Sequence, residues 1–149
     1  MAKAISPEQF IDVLQKKQKK VVTELGKNIA KCCATIQREA QESMRDTAVD
    51  TSKTYGKKGH HPSLPGNPPA VDTGTLRRSV TYQVDENELV GYVGSNLKDP
   101  PYGAYLEFGT TKDGKHIIKP RPWLKPATEK SMEKIKEIMA GAVKVGIYD

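Results

Sequence analysis

The stretch YGAYLEFGTTKDGKHIIKPRPWLKPA, residues 102–127, concentrates the bulky side chains and rigid turns of the sequence. It contains Trp123, the single tryptophan, and Phe108, one of two phenylalanines. Three prolines surround Arg121 in its second half. Because only 36% of the chain is hydrophobic, such a density of aromatic residues predicts the centre of a small core or a surface for a partner.

The pattern within this stretch predicts a helical turn, a strand and a helix. Residues 102–108 are typical of a short helical turn, and Gly109 stands where a left-handed glycine commonly ends a helix. Residues 117–118 predict a third strand of the chain, which two prolines then end. The last helix is predicted over residues 122–140, and residues 142–148 are predicted to add a short edge strand.

Upstream, the sequence predicts one long helix over residues 7–46. Ser6 and Gln9 have the spacing of a capping box, and Pro7 suits the first helical position. Apolar residues then recur at steps of three, four and seven, which places them on one helical face about 60 Å long. They are Phe10, Leu14, Val21, Leu25, Ile29, Cys32, Ile36, Ala40 and Met44. Four lysines at positions 16, 17, 19 and 20 predict a basic outer face, either solvated or in contact with a partner.

Composition limits the class of protein. A length of 149 residues fits one domain, residues 1–149, with a modest core. No apolar run is long enough for a membrane span, and the N-terminus lacks the apolar region of a secretory signal. We therefore expect a protein made and kept in a cytoplasm, with no membrane partner. The adjacent Cys32 and Cys33 are expected to be reduced residues that pack the helix, because neighbours on a helix point apart.

Residues 50–70 predict a long loop, mobile unless a partner orders it. The segment is rich in Gly, Pro, Ser and Lys and has little to bury. The net charge of the whole chain is +6, and residues 53–78 alone carry +4, so contact with a polyanion is allowed. The loop residues that could face DNA or wrap a neighbouring subunit are Lys53, Lys57, Lys58, His60 and His61. No cysteine or carboxylate stands near the histidines at a zinc-binding spacing, so neither a metal nor a cofactor is expected.

Two alternating segments, residues 79–84 and 89–95, predict an antiparallel hairpin closed by a polar turn. Together with the strand at residues 117–118 and the edge strand, they predict an antiparallel sheet of three or four strands. Two helices would flank this sheet, which is an α+β fold.

No catalytic constellation stands out in the sequence, and we expect no enzyme. Glu107 and Arg121 are expected to form a buried structural ion pair rather than an acid–base site. A small hydrolase using His60, His61 and Glu107 is the least favoured alternative. A basic DNA-binding module, built from the lysines at 16–20 and from residues 53–78, is a better supported alternative.

Three motifs in order carry a resemblance to a known family. They are PGNPP (residues 65–69) with DTGTLRRS (72–79), then YGAYLEFGT (102–110), then KPRPWLKPA (119–127). In this order they resemble the tail-component or tail-completion (neck) family of long-tailed bacteriophages and prophages. The resemblance covers residues 5–140 and is carried by the ordered set rather than by any one motif.

The resemblance implies a structural virion protein of the siphovirus neck, assembled in the host bacterial cytoplasm. It implies a homo-oligomeric ring, commonly a hexamer, that completes the tail and joins it to the head around the DNA channel. Head-side connector or stopper proteins and the tail terminator or tube would be its partners, with transient contact to genomic double-stranded DNA. A tail terminator-type ring is the nearest alternative. The motif residues would hold the fold or form the subunit contacts: Tyr102, Tyr105, Glu107, Phe108, Arg121 and Trp123.

Overall fold

A computed structural model describes residues 6–56, 59–98, 101–112 and 115–148 of the chain. Lys57 and Lys58, two of the predicted loop cations, lie outside these ranges. In chain order the elements are α1 (Pro7–Arg45), α2 (Thr75–Ser79), β1 (Val80–Asp85), β2 (Val90–Ser95), α3 (Tyr102–Phe108), β3 (Thr110–Lys112), β4 (Lys115–Ile118) and α4 (Leu124–Tyr148). The predicted α+β class, with a long N-terminal helix, a C-terminal helix and an irregular loop, is confirmed.

The start of α1 is fixed by the predicted capping box. The backbone N–H of Gln9 donates to Ser6 Oγ at 3.3 Å, and the backbone N–H of Ser6 donates to Gln9 Oε1 at 3.0 Å. Pro7 occupies the first helical position, where its missing N–H costs nothing. The helix ends at Arg45, within one residue of the predicted end.

Helix α4 runs antiparallel to the C-terminal part of α1. Lys130 Nζ lies 2.6 Å from Glu39 Oε1, and Asn28 Nδ2 donates to the carbonyl of Ile138 at 3.0 Å. The buried Asn28 amide is therefore satisfied by the neighbouring helix.

The predicted edge strand at residues 142–148 is wrong, because α4 continues to Tyr148. The β-branched residues of this tail favour a strand only weakly, and continuing an existing helix costs little once it is nucleated. The helix also begins two residues later than predicted, at Leu124.

Cys32 and Cys33 are free and buried, which confirms their predicted role as packing residues. Cys32 Sγ lies 4.0 Å from the carbonyl oxygen of Ile135 on α4. Burial raises the pKa of both thiols above the ordinary value, so they stay protonated and weakly nucleophilic at neutral pH.

The first hairpin, β1 with β2, packs on α1. The predicted antiparallel hairpin is confirmed, and its register pairs Val80 with Ser95 and Asp85 with Val90. Val80 is only 1% exposed, and its carbonyl accepts a 2.7 Å hydrogen bond from Gln37 Nε2 on α1. The edge of the hairpin is thereby attached to the long helix.

The predicted single sheet of three or four strands is replaced by two separate two-stranded sheets. The second hairpin pairs β3 with β4, with an irregularity between Thr110 and Thr111. Helix α3, which comes between the two hairpins in the chain, packs on the end of β2, since a Cβ at Gly103 would stand 3.1 Å from Ser95 Cβ. Gly109 then turns the chain with a φ of +72° and a ψ of 176°, so the predicted left-handed glycine has the positive φ but not the left-handed ψ. A Cβ there would meet the carbonyl oxygen of Ile118 at 2.6 Å.

The described part of residues 50–70 lies on the body of the domain. Isolated antiparallel bridges join Val49 to Ser63 and Tyr55 to His60. Thr47 Oγ1 donates to the carbonyl of Pro68 at 2.9 Å. The predicted mobility of this segment in a free subunit stays a prediction.

The core is small and lies where the C-terminal end of α1, α2, β1, α3 and the start of α4 meet. Its buried members are Ala40, Met44, Leu76, Val80, Leu106, Trp123 and Ala127. Among the helices in the described part of the chain, none is both long and apolar enough to cross a membrane.

We expect Gly91→Ala to destabilise the domain by about 1–3 kcal/mol, because the added methyl group overpacks the contact between β2 and α1. A Cβ at Gly91 would overlap Cys33 Sγ and stand 2.9 Å from Ile29 Cγ2. Gly94→Ala on the same strand is the matched control, because a Cβ there meets nothing within 4 Å. Urea unfolding of both variants measures the difference, and equal midpoints would contradict this packing of the hairpin on α1.

Candidate functional site

The carboxylate of Glu107 closes the N-terminus of α4. Its Oε2 accepts hydrogen bonds from the backbone N–H groups of Trp123 and Leu124 at 2.7 and 2.9 Å, and its Oε1 accepts from Lys125 at 3.0 Å. The first N–H groups of a helix have no partner within the helix, and the helix dipole favours a negative charge there. One side chain of α3 thereby supplies the cap of a helix that begins 17 residues later.

The predicted ion pair between Glu107 and Arg121 is wrong. Both oxygens of Glu107 are already occupied by backbone donors of α4, so the carboxylate has its partners without a cation. Arg121 turns instead to the loop, where its Nε–H donates to the carbonyl of Ser63 at 3.3 Å. Its backbone N–H donates to the carbonyl of Leu106 at 2.7 Å. Arg121 therefore joins residues 50–70 to α3 rather than neutralising Glu107.

Trp123 is a core residue. It is 3% exposed, and its indole Nε1–H donates to the carbonyl of Gly103 at 2.9 Å. The absence of a side chain at Gly103 makes room for the indole, because a Cβ there would stand 3.2 Å from Trp123 Cζ2. Of the two roles predicted for Trp123, the structure supports holding the fold.

Three other aromatic residues of the motif face outward. Tyr102 and Tyr105 are 46% and 39% exposed, and Phe108 is 78% exposed. Their three-residue spacing places them along one side of α3, and we call them the α3 aromatic patch. A groove of about 670 Å³ adjoins the patch; Phe108 contributes to its wall, together with Leu97, Ala104 and Leu124.

Sequence reasoning missed a second exposed apolar surface, at the start of α1. Phe10, Ile11, Val13 and Leu14 are 44–53% exposed, and we call them the α1 apolar patch. The helical repeat places Phe10 and Leu14 on the same face as the residues that α1 buries further along, but both are exposed in the structure. The available signal was the presence of Ile11 and Val13 beside them, since apolar residues at four of five positions exceed one core-facing stripe.

The basic face of α1 is exposed in the structure. All four lysines at positions 16–20 are solvent-exposed, and Lys16 Nζ lies 2.7 Å from Asp12 Oδ2. An exposed pair of this kind within one helix contributes little to stability. The solvated-face interpretation is sufficient for these residues, although contact with a partner stays a prediction.

The predicted histidines do not join Glu107. Nδ1 of His61 lies 2.8 Å from the carbonyl oxygen of Lys53 within the loop. His60 lines a cleft beside residues 119–121, whereas Glu107 borders the groove next to Phe108. Across the described ranges, no group of three or more His, Cys, Asp or Glu side chains could hold a metal ion. Nothing in this arrangement supports the hydrolase alternative.

These features define a small α+β subunit. Its motif residues either connect α3 to the start of α4 or lie exposed in apolar patches. A family model described as "Bacteriophage HK97-gp10, putative tail-component" matches residues 8–109. The chain belongs to this family of structural bacteriophage tail components, and the resemblance drawn from its motifs is confirmed. Its place is therefore in the phage virion. Searches of curated proteins and of solved structures each found no match.

We expect Glu107→Ala to lower the free energy of unfolding by about 2–3 kcal/mol, because three backbone N–H groups lose a charged acceptor. Glu107→Gln, which keeps one acceptor oxygen, is expected to cost about half as much. Glu129→Gln on α4 is the matched control, since this exposed carboxylate lies 4.0 Å from Lys125 Nζ and contributes little. Chemical denaturation followed by tryptophan fluorescence measures all three. An Ala variant as stable as the Glu129 control would contradict the capping role.

Proposed function

We propose that this tail component forms a homo-oligomeric ring, of six subunits as the family resemblance implies, in the neck of the phage particle. The ring completes the tail and joins it to the head-side connector or stopper proteins around the DNA channel. Tail terminator or tube proteins contact its other face. The observation that carries the proposal is the presence of two different exposed apolar patches on one subunit.

The two patches are well separated along the subunit. The α3 aromatic patch lies at the core end of α1, since Tyr102 and Leu106 line a cavity with Met44. The α1 apolar patch lies about 30 residues earlier on the same helix, which corresponds to a distance on the order of 45 Å along its axis. Both patches fall within the residues that match the family.

Unlike patches at opposite ends favour association of one surface with a different surface of the next copy. A two-fold dimer that pairs one patch with the same patch of its partner buries only that patch and would leave the second patch in water. Head-to-tail contact buries both, and it closes into a ring when the rotation between copies permits. Exposed apolar patches are a common mark of protein interfaces. The small core of the subunit is consistent with head-to-tail association, because apolar surface buried between subunits adds to the limited apolar burial within each one.

Charged substitutions in either patch test the head-to-tail contact. We expect Phe10→Glu with Leu14→Glu, and separately Tyr105→Glu with Phe108→Glu, to weaken ring formation by at least about 100-fold, because an unpaired buried carboxylate costs about 3–5 kcal/mol. All four residues are exposed in the subunit, so the fold is expected to remain. Gln15→Glu with Gln18→Glu on the exposed side of α1 is the control with equal charge. Light scattering and negative-stain images of the protein, with its neck neighbours if these are needed for assembly, measure the result.

A mixture of the two patch variants distinguishes the modes of association. In a head-to-tail ring each variant keeps one intact surface, so the mixture is expected to yield a dimer of unlike variants and no ring. In a two-fold dimer that pairs one patch with the same patch of its partner, one of the two variants would associate normally by itself. A wild-type chain that stays monomeric even with its neck neighbours would contradict the proposal. A tail terminator-type ring would give the same oligomer and would differ in the neighbour it binds.

We also propose that residues 50–70 are mobile in the free subunit and become ordered in the ring. Only Ser63 and Pro69 of the described part are buried, so little apolar burial holds the segment. Hydrogen exchange of the Tyr55 and His60 amides, which bond to each other's carbonyls, is expected to slow at least about tenfold on assembly. Equal exchange rates before and after ring formation would contradict this.

A further inference from the structure

The fold brings two distant basic segments together in one cleft. The cleft has a volume of about 440 Å³ and lies between residues 50–70 and the turn that precedes α4. Its walls include Lys53, Lys119 and Arg121, with His60 beside them, and we call this site the cationic cleft. Tyr55 and Tyr102, 59% and 46% exposed, also line it. Of the residues named here, only Lys53 and His60 were among those that the sequence predicted could face DNA.

Hydrogen bonds join the two walls of the cleft. Arg121 Nε donates to the carbonyl of Ser63 at 3.3 Å, and the Gly66 N–H donates to the carbonyl of Pro120 at 3.0 Å. On the loop side, the backbone groups of Tyr55 and His60 exchange bonds of 2.8 and 2.9 Å. These contacts join the described parts of both walls without using the ammonium groups of Lys53 and Lys119.

The charge of the cleft is poorly balanced by the protein itself. Asp50 Oδ2 lies 3.4 Å from Lys53 Nζ, and hydrogen bonds from Ser52 are the main cause that lowers the pKa of this carboxyl. No carboxylate in the described ranges lies within ion-pairing distance of Lys119 or Arg121. Arg121 is half-buried. A partly buried guanidinium without a carboxylate favours an anionic ligand.

We infer that the cationic cleft binds backbone phosphates of nucleic acid. A phosphodiester strand places one charge about every 3.4 Å, so it can engage several cations of one cleft at once. The hydroxyl of Tyr55, which lies outside the α3 aromatic patch, adds a hydrogen-bond donor of the kind that contacts phosphates. An acidic protein segment is the alternative anion, and a titration with polyglutamate distinguishes it from nucleic acid.

The contact is expected to be weak and independent of base sequence. The cleft presents cations and hydroxyls, which position a nucleic-acid backbone rather than read base edges. Such binding typically has a Kd of about 10⁻⁴–10⁻⁶ M at physiological salt. Weak binding suits a protein that contacts DNA as it moves past. The biological setting of this inference rests on the proposed position of the protein around the DNA channel.

The test compares two pairs of lysine substitutions with the same loss of charge. The full chain is titrated with a short fluorescent DNA duplex of arbitrary sequence over a series of salt concentrations. Lys53→Gln with Lys119→Gln is expected to lower affinity by at least about tenfold at low salt and to reduce the slope of log K against log salt by about 2. Lys31→Gln with Lys134→Gln, at two exposed lysines outside both basic segments, is the matched control and is expected to change affinity by less than about threefold.

Each other outcome would overturn the inference. Equal losses in the two lysine pairs would mean that the overall charge attracts DNA without a site. A wild-type chain that fails to bind the duplex at the lowest salt would exclude the phosphate contact. Binding of a polyglutamate peptide that depends on Lys53 and Lys119, without binding of DNA, would assign the cleft to an acidic protein.

The oligomeric state of the same samples separates this inference from the ring proposal. Light scattering reports the ring, and fluorescence anisotropy reports the phosphate contact. A ring that survives Lys53→Gln with Lys119→Gln while DNA binding falls supports the cleft independently of assembly. A monomer whose DNA binding depends on the cleft would contradict the ring and keep the inference.

Discussion

The carboxylate of Glu107, bonded to three backbone N–H groups at the start of α4, is the interaction on which the joints of this protein depend. It fixes where the last helix begins and its position against α3. Two further bonds reinforce the joint, from the Trp123 indole to Gly103 and from the Arg121 backbone to Leu106. A fixed start directs α4 back along α1, so that the two longest helices support each other. Because the core is small, loss of this one acceptor is expected to weaken the packing of the whole core.

Helix α1 has two different roles along its length. From about Gly26 onward it is covered by α4 and the first hairpin, and its buried residues include Asn28, Cys32 and Met44. Its first 14 residues are exposed, although four of them are large and apolar. Stability of the subunit depends on the covered part. The exposed part is available for contact with other copies or other tail proteins, and the family match includes both.

Local signals explain what the sequence predicted correctly. The capping box at Ser6 and Gln9, the alternating strands of the first hairpin and the positive φ at Gly109 all depend on neighbouring residues. The errors concern long-range partners. Every residue except proline has a backbone N–H group, so the sequence does not indicate which of these groups bonds to Glu107. Arg121, a nearby cation, was therefore predicted as its partner. Likewise, exposure of Phe10 and Leu14 depends on what covers a helix, and the division of the strands into two hairpins depends on where α3 packs.

The burial of the adjacent cysteines has a practical consequence for chemical labelling. Cys32 and Cys33 are 7% and 4% exposed, and burial raises the pKa of both thiols, so a thiol-directed reagent at neutral pH meets little thiolate on the native protein. A single cysteine introduced on an exposed surface would therefore take up a spectroscopic probe with little labelling of Cys32 and Cys33, so both native thiols can be left in place. Distances between subunits in an assembled particle become measurable without removing two residues that the packing of α1 requires.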